Sequence, residues 1–229
     1  MIRKSQLGKN GHVALLGDSI LDNGAYTSGG PDVVTHVRGM LPAGWRATLL
    51  ALDGSLIADL DGQLSDLPPD TTHVVVSVGG NNVLMNLDIL RLRVRSEPEA
   101  LMKLGQRVAV FERAYRKAIN RVLRLGREMA VCTIYNANLD NDTGAAALGF
   151  STEEAGAALV VLTTFNDAIL RVAFEAKLRV IELRLVCNQP ADYANTIEPS
   201  VSGGEKIARA IVTALGLIEQ TGEHSRVFG

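Results

Sequence analysis

Five short apolar runs, each stopped by turn-forming residues, constrain this chain more than any other feature. The first is Val13-Ala14-Leu15-Leu16, closed by Gly17-Asp18-Ser19. Arg46 to Leu52 ends at Asp53-Gly54-Ser55, and His73 to Val78 ends at Gly79-Gly80-Asn81-Asn82. Ala130 to Tyr135 ends at Asn136, and Leu178 to Leu183 leads towards Cys187. Runs this short, mostly apolar and β-branched, suit strands buried on both faces. Helical patterns lie between them: Val33 to Met40, about Leu56 to Leu64, and Glu97 to Arg127. In the long one Leu104, Val108, Phe111, Tyr115, Ile119 and Val122 recur at three- and four-residue steps. Ser151-Thr152-Glu153-Glu154 reads as a capping box opening a helix to about Lys177. Ser202-Gly203-Gly204 precedes a last helix, Glu205 to Leu215, which Gly216 can end. Strands alternating with helices predict a parallel five-stranded sheet with right-handed crossovers, covered on both sides: a three-layer α/β/α sandwich.

A chain of 229 residues fits one such domain, 1–229, with a core from about 12 to 216 and a polar tail, 220–229, expected to fray. Aromatic residues are only 4% against 47% apolar, so the interior must be aliphatic. The 23 basic and 25 acidic residues nearly cancel, and no basic run with interleaved aromatics argues for nucleic acid. Cys132 and Cys187 sit in or beside apolar runs and read as reduced core thiols. The basic start has no apolar signal-peptide segment, and no uninterrupted apolar run is long enough for a membrane span. The expectation is therefore a cytoplasmic protein. No dinucleotide or P-loop fingerprint and no cluster with metal-ligand spacing occurs, so neither cofactor nor metal is expected.

The unusual residues fall at strand ends. Ser19 follows the first strand, Gly54 the second and Asn81 the third. In a sheet ordered 2-1-3-4-5 these strands are neighbours, and their carboxyl-end loops form one cleft. A serine raised on a strand-end turn exposes a nucleophile. Gly54 offers a backbone N–H with no side chain in the way, and Asn81 a side-chain N–H₂. With the Ser19 N–H these could surround a tetrahedral oxyanion. Taken alone, Gly-Asp-Ser is an ordinary turn sequence; the set of three loops carries the reading.

This set resembles the SGNH (GDSL-type) hydrolase family. The first block appears as Gly17-Asp18-Ser19-Ile20-Leu21, the glycine block as Asp53-Gly54-Ser55, and the Gly-x-Asn-Asp block as Gly79-Gly80-Asn81-Asn82. The last block resembles Ile197-Glu198-Pro199-Ser200 and the glycines that follow, where the family reads Asp-x-x-His-Pro-Ser. The resemblance runs from about Val13 to Ile211. It implies a flavodoxin-like α/β/α fold and hydrolysis of a small-molecule acyl ester, with Ser19 as nucleophile and Ser19, Gly54 and Asn81 as oxyanion donors.

Two positions depart from the family pattern. Asn82 replaces an aspartate, with consequences expected for the local turn. Glu198 stands where the histidine should be, and Asn195 where its aspartate should be. The two changes make sense together: an aspartate would repel Glu198, whereas an asparagine can donate its amide N–H to a carboxylate. The expected arrangement is a Ser19–Glu198 pair oriented by Asn195, with Asp192 as a second orienting candidate and Asp18 tying down the turn. An unperturbed glutamate titrates at about 4.3 against about 6.5 for histidine, so the pair requires burial to raise it. His12 and His73 fall at the amino ends of strands, His36 in an early helix or loop, and His224 in the tail. Other readings of the same residues are a non-catalytic protein binding an acyl or glycan ligand, and an enzyme in which Glu198 activates water directly.

Overall fold

The computed structural model describes residues 10–139 and 142–218. Five parallel strands form one sheet: β1 (Gly11–Gly17), β2 (Trp45–Leu49), β3 (His73–Ser77), β4 (Glu128–Cys132) and β5 (Arg179–Ile181). Their order is β2-β1-β3-β4-β5, as the strand-end argument requires. Around it lie α1 (Val33–Met40), α2 (Leu60–Ser65), α3 (Gly80–Leu84), α4 (Glu97–Leu123), α5 (Asp142–Ala147), α6 (Thr152–Glu175), α7 (Leu183–Val186) and α8 (Val201–Ala214). Short 3-10 turns occupy Ile57–Asp59, Leu87–Arg91 and Pro190–Asp192.

The alternation along β1 sets the layers. Val13 and Leu15 pack with Val33 and Val37 of α1 and Ile207 and Ile211 of α8. Ala14 and Leu16 point the other way, into Leu60 of α2, Tyr115 and Ile119 of α4, and Phe165 and Ile169 of α6. All four β1 residues are fully buried. Each buried aliphatic side chain of Val or Leu size contributes roughly 1.5–3 kcal/mol, which holds β1 between two covered faces. Cys132 and Cys187 are buried free thiols, and burial pushes each up to about 12.

Element ends differ from the sequence reading where tertiary contacts intervene. The Ser151–Glu154 capping box forms as read, with Glu154 N–H donating to Ser151 Oγ at 3.1 Å and Ser151 N–H to Glu154 at 2.9 Å. Helix α4 stops at Leu123, and Gly126 turns the chain into β4 with φ of 66°. Helix α8 begins earlier than expected: Ser200 is its N-cap, and Gly203 and Gly204 lie in its first turn rather than ahead of it. A Cβ on Gly203 would stand 2.1 Å from the Asp192 carbonyl oxygen, so glycine lets this turn press against the 190–192 segment. By length and composition α6 could cross a membrane; here Phe165, Ala168 and Ile169 are wholly buried against the sheet, which accounts for its apolar inner face. The expected tail from Gln220 onward lies outside the described residues.

Two glycines test this packing in opposite directions. Gly17 has φ of 136° and a Cβ there would fall 1.7 Å from the Ser77 carbonyl oxygen; Gly17→Ala lowers stability by at least about 1–3 kcal/mol. Gly105, exposed on α4 with open space around it, gives the reverse: Gly105→Ala adds about 0.5–1 kcal/mol. Urea unfolding midpoints of the two variants check both signs.

Candidate active site

The end of β1 builds the first half of the site. Gly17 passes so close to β3 that the next residue's N–H donates to Ser77 O at 3.0 Å. The buried Gln63 amide of α2 straddles Gly17, accepting from its N–H at 2.7 Å and donating to its carbonyl at 2.8 Å. The Asp18 carbonyl then accepts from the N–H groups of Leu21 and Asp22. Asp18 Oδ1 accepts from Ile20 N–H at 3.2 Å, the turn-tying role expected of it. The result is a tight turn with Ser19 on it, buried except for a small exposed fraction.

The second half is a hairpin-like loop between Asp192 and Ser200. The Tyr193–Pro199 bridge is flanked by Ala194 N–H to Glu198 O at 2.8 Å and Ser200 N–H to Asp192 O at 2.9 Å. Three ties fix the loop from outside. Asn23, fully buried, donates to Pro199 O at 3.1 Å while accepting from Val33 N–H. Tyr135 OH donates to Ile197 O at 2.6 Å, and Asn138 N–H to Thr196 O at 2.8 Å. Glu198 is thereby buried on the wall of the same cavity as Ser19.

Asn195 and Asp192 reach Glu198 differently from the sequence expectation. Asn195 does not donate to the carboxylate; its Oδ1 accepts from the backbone N–H groups of Ile197 and Glu198, each at 2.9 Å. Backbone donors demand the amide oxygen, so Asn195 positions Glu198 through the main chain. The carboxylate of Asp192 is taken up by Lys206 Nζ at 2.7 Å and by the N–H groups of Asn188 and Gln189. It anchors the base of the loop and leaves the Glu198 side chain alone.

Two buried carboxyls therefore flank Ser19. Burial pushes Glu198 up to about 7, and the Asp53 charge adds to the rise while the Ser19 hydroxyl opposes it. Burial likewise raises Asp18 to about 7, with Glu198 adding to it and the N–H groups of Ile20, Gly79 and Gly80 opposing it. Glu198 Oε2 and Asp18 Oδ2 have no hydrogen-bond partner. No histidine among the described residues lines this cavity. His12 is held by Asp70 and Thr48, His73 packs at a tilt against Trp45, His36 lies on α1, and His224 is outside the described residues.

Ser19, Asp18, Asn81 and Glu198 share one cavity. Asn81 donates one side-chain N–H to Ser55 O at 3.0 Å, which aims the amide and leaves its second N–H for a ligand. Ser55 Oγ in turn accepts from Gln63 at 3.2 Å. Gly54, with φ of 77°, lies next door on an open depression with Asp53, Ser55 and Gln63, not on the cavity wall. Among the described residues, the N–H groups of Ser19 and Gly54 have no protein acceptor. Asn82 Oδ1 accepts from Ile57 N–H at 3.0 Å, so it ties the start of α3 to the distant 57–59 turn instead of serving its own local turn as expected. Among the described residues no group of three His, Cys, Asp or Glu side chains could hold a metal ion. Gln63, Tyr135 and the tether made by Asn23 carry no distinct signal in the sequence, because each acts on a backbone group remote along the chain.

No protein-family model matches this chain, and no curated protein matches it. Solved structures do. An extracellular lipase from Streptomyces rimosus is similar with a TM-score of 0.65 at 16% identity, over 89% of this chain and 99% of that one. An acetyl xylan esterase from Geobacillus stearothermophilus gives 0.63 at 19% identity, over 93% and 100% of the two chains. A phospholipase A1 from Streptomyces albidoflavus gives 0.64 at 14% identity, over 90% and 99%. At such identities the likeness is one of fold, and it spans the whole three-layer sandwich.

The two raised carboxyls fix a pH dependence of stability. Both bind protons more tightly in the folded chain than in the unfolded one, so their favourable contribution is complete below about pH 4 and disappears as pH rises through about 7. The fall in melting temperature between pH 5 and pH 8 is accordingly smaller for the Asp18→Asn/Glu198→Gln double variant than for the parent, as differential scanning fluorimetry across that range checks.

Proposed function

We propose that this chain is an ester hydrolase of the SGNH type, in which Ser19 is the nucleophile and Glu198 replaces histidine as its base. One observation carries the reading: the buried Ser19 hydroxyl shares one cavity with the Asn81 amide and with the Glu198 carboxyl, which burial has raised to about 7. The shared fold with solved lipases and esterases supports it.

A carboxylate with its affinity for protons matched to neutral pH can accept the serine proton and return it. In this scheme Ser19 Oγ bonds the acyl carbon as its proton passes to Glu198. The oxyanion is met by the Ser19 N–H, the free N–H of Asn81 and, where the substrate reaches it, the Gly54 N–H. Collapse breaks the carbon–oxygen bond to the alcohol, which takes the proton from Glu198. Water then attacks the acyl-enzyme, giving its proton to Glu198, and the acid leaves as Ser19 is restored. Asn195, Asn23 and Tyr135 are positioning residues, holding the loop on which the base rides.

Ser19→Ala and Glu198→Gln both reduce ester turnover by at least about 10³-fold, the scale on which members of a nucleophile–base set act as a unit. Asn81→Ala costs about 10²–10³ in kcat, as for loss of one oxyanion donor. The rising limb of kcat/KM against pH has its midpoint at about 7, where Glu198 ionises. A fluorophosphonate probe labels Ser19, read by peptide mass spectrometry; a folded protein that resists the probe and turns over no ester sinks the assignment. Activity that survives Ser19→Ala but not Glu198→Gln instead identifies direct activation of water.

A further inference from the structure

The cavity at Ser19 has a volume of about 80 Å³ and is lined mostly by apolar side chains. Val83 and Leu84 of α3, Leu159 and Leu162 of α6, and Ile134 and Phe150 are among them. Its polar groups are Asp18, Ser19, Asn81 and Glu198. A chamber that sets a few reactive groups among aliphatic walls receives a ligand of matching two-part chemistry.

The Phe150 wall is held in place. Arg91, at the end of the 87–91 turn, pairs with Glu154 at 2.7 Å, donates to Gly149 O, and lies 5.7 Å over the Phe150 ring. The Arg91 charge holds Glu154 down at about 2. Since Glu154 also closes the capping box of α6, the latch ties the 87–91 turn to the start of α6. The walls on either side of the space are therefore set relative to each other, and its size is a property of the fold.

We propose that this space receives the aliphatic acyl chain of the substrate, making the site selective for medium-chain acyl groups over acetyl. The inference rests on the hydrolase reading for its chemistry but not for its binding. A water-sized position needs about 10–15 Å³, so the cavity takes roughly five to eight non-hydrogen atoms of an acyl group, its carbonyl included. An acetyl group leaves most of the aliphatic wall uncovered, whereas each methylene added up to the limit removes apolar surface from water and lowers the barrier. Beyond that limit the latched Phe150 wall stops the gain.

A p-nitrophenyl ester series from acetyl to dodecanoyl, run alongside binding of octanamide and acetamide to the Ser19→Ala variant by thermal shift, tests the proposal. The expected result is a maximum in kcat/KM between hexanoyl and octanoyl, at least tenfold above acetyl, with octanamide raising the melting temperature and acetamide not. Phe150→Ala moves the maximum to longer chains, and Leu159→Trp lowers the octanoyl-to-acetyl ratio at least tenfold; either variant counts when its melting curve remains cooperative. Active protein with a flat or acetyl-preferring series overturns the acyl-chamber assignment and leaves the hydrolase reading standing. Inactive protein that still binds octanamide overturns the hydrolase reading and keeps the chamber. Inactive protein that binds neither amide overturns both.

Discussion

Everything in this site depends on how closely β1 ends against β3. Gly17 can occupy a position where any Cβ would collide with the Ser77 carbonyl, and a backbone conformation that L side chains rarely adopt. That approach lets the Asp18 N–H reach across to Ser77 O and the Gln63 amide close both hydrogen-bonding groups of Gly17. The chain therefore leaves the centre of the sheet in a fixed direction, with no unsatisfied main-chain group at Gly17. Ser19, two residues on, inherits that direction. Gln63 also touches Ser55, whose carbonyl orients Asn81, so one buried amide links the Ser19 turn to the Asn81 side chain.

In the proposed function a base that is neutral when active is replaced by one that is negative, and the electrostatics of the site suit that exchange. A histidine accepts a proton and becomes a cation, so an aspartate beside it helps. A carboxylate accepts a proton and becomes neutral, so further negative charge raises its affinity for that proton. Asp18 and Asp53 stand within electrostatic reach of one another through Glu198, and burial acts in the same direction. Asn195 fits this environment because its neutral oxygen caps the backbone of Ile197 and Glu198 without adding another charge. Tyr26 belongs to the same rim: its hydroxyl donates to Asp53 at 2.6 Å, and the surrounding carboxylates raise it.

The apolar lining of the cavity is gathered from several parts of the chain. The strand-end loops bring Ser19 and Glu198, α3 brings Asn81 together with Val83 and Leu84, and the 87–91 turn and α6 add further aliphatic walls. Arg91 joins those walls through an exposed ion pair that is worth little as stability. Its value is geometric, since one guanidinium engages Glu154, Gly149 and Phe150 together. Read as a sequence, Arg91-Leu92-Arg93-Val94-Arg95 looks like an exposed charged run; only the fold singles out the first arginine.

The sequence by itself determined the strands and helices and where Ser19, Gly54, Asn81 and Glu198 fall relative to them, because those depend on local patterns; the strand order was expected from the family resemblance. Short apolar runs name strands, capping residues such as Ser151 and Glu154 name a helix start, and turn residues at strand ends name the cleft. Tertiary structure alone decided how the groups are used. It set Asn195 on the backbone instead of the carboxylate, gave Asp192 to Lys206, drew Gly203 and Gly204 into α8 and placed Gly54 beside the cavity instead of on its wall. It also raised Glu198 and Asp18, for burial of a charge is a property of everything packed around it. Hydrogen bonds between residues as distant as Asn23 and Pro199 leave no periodic trace, and so they become visible only once the chain is folded.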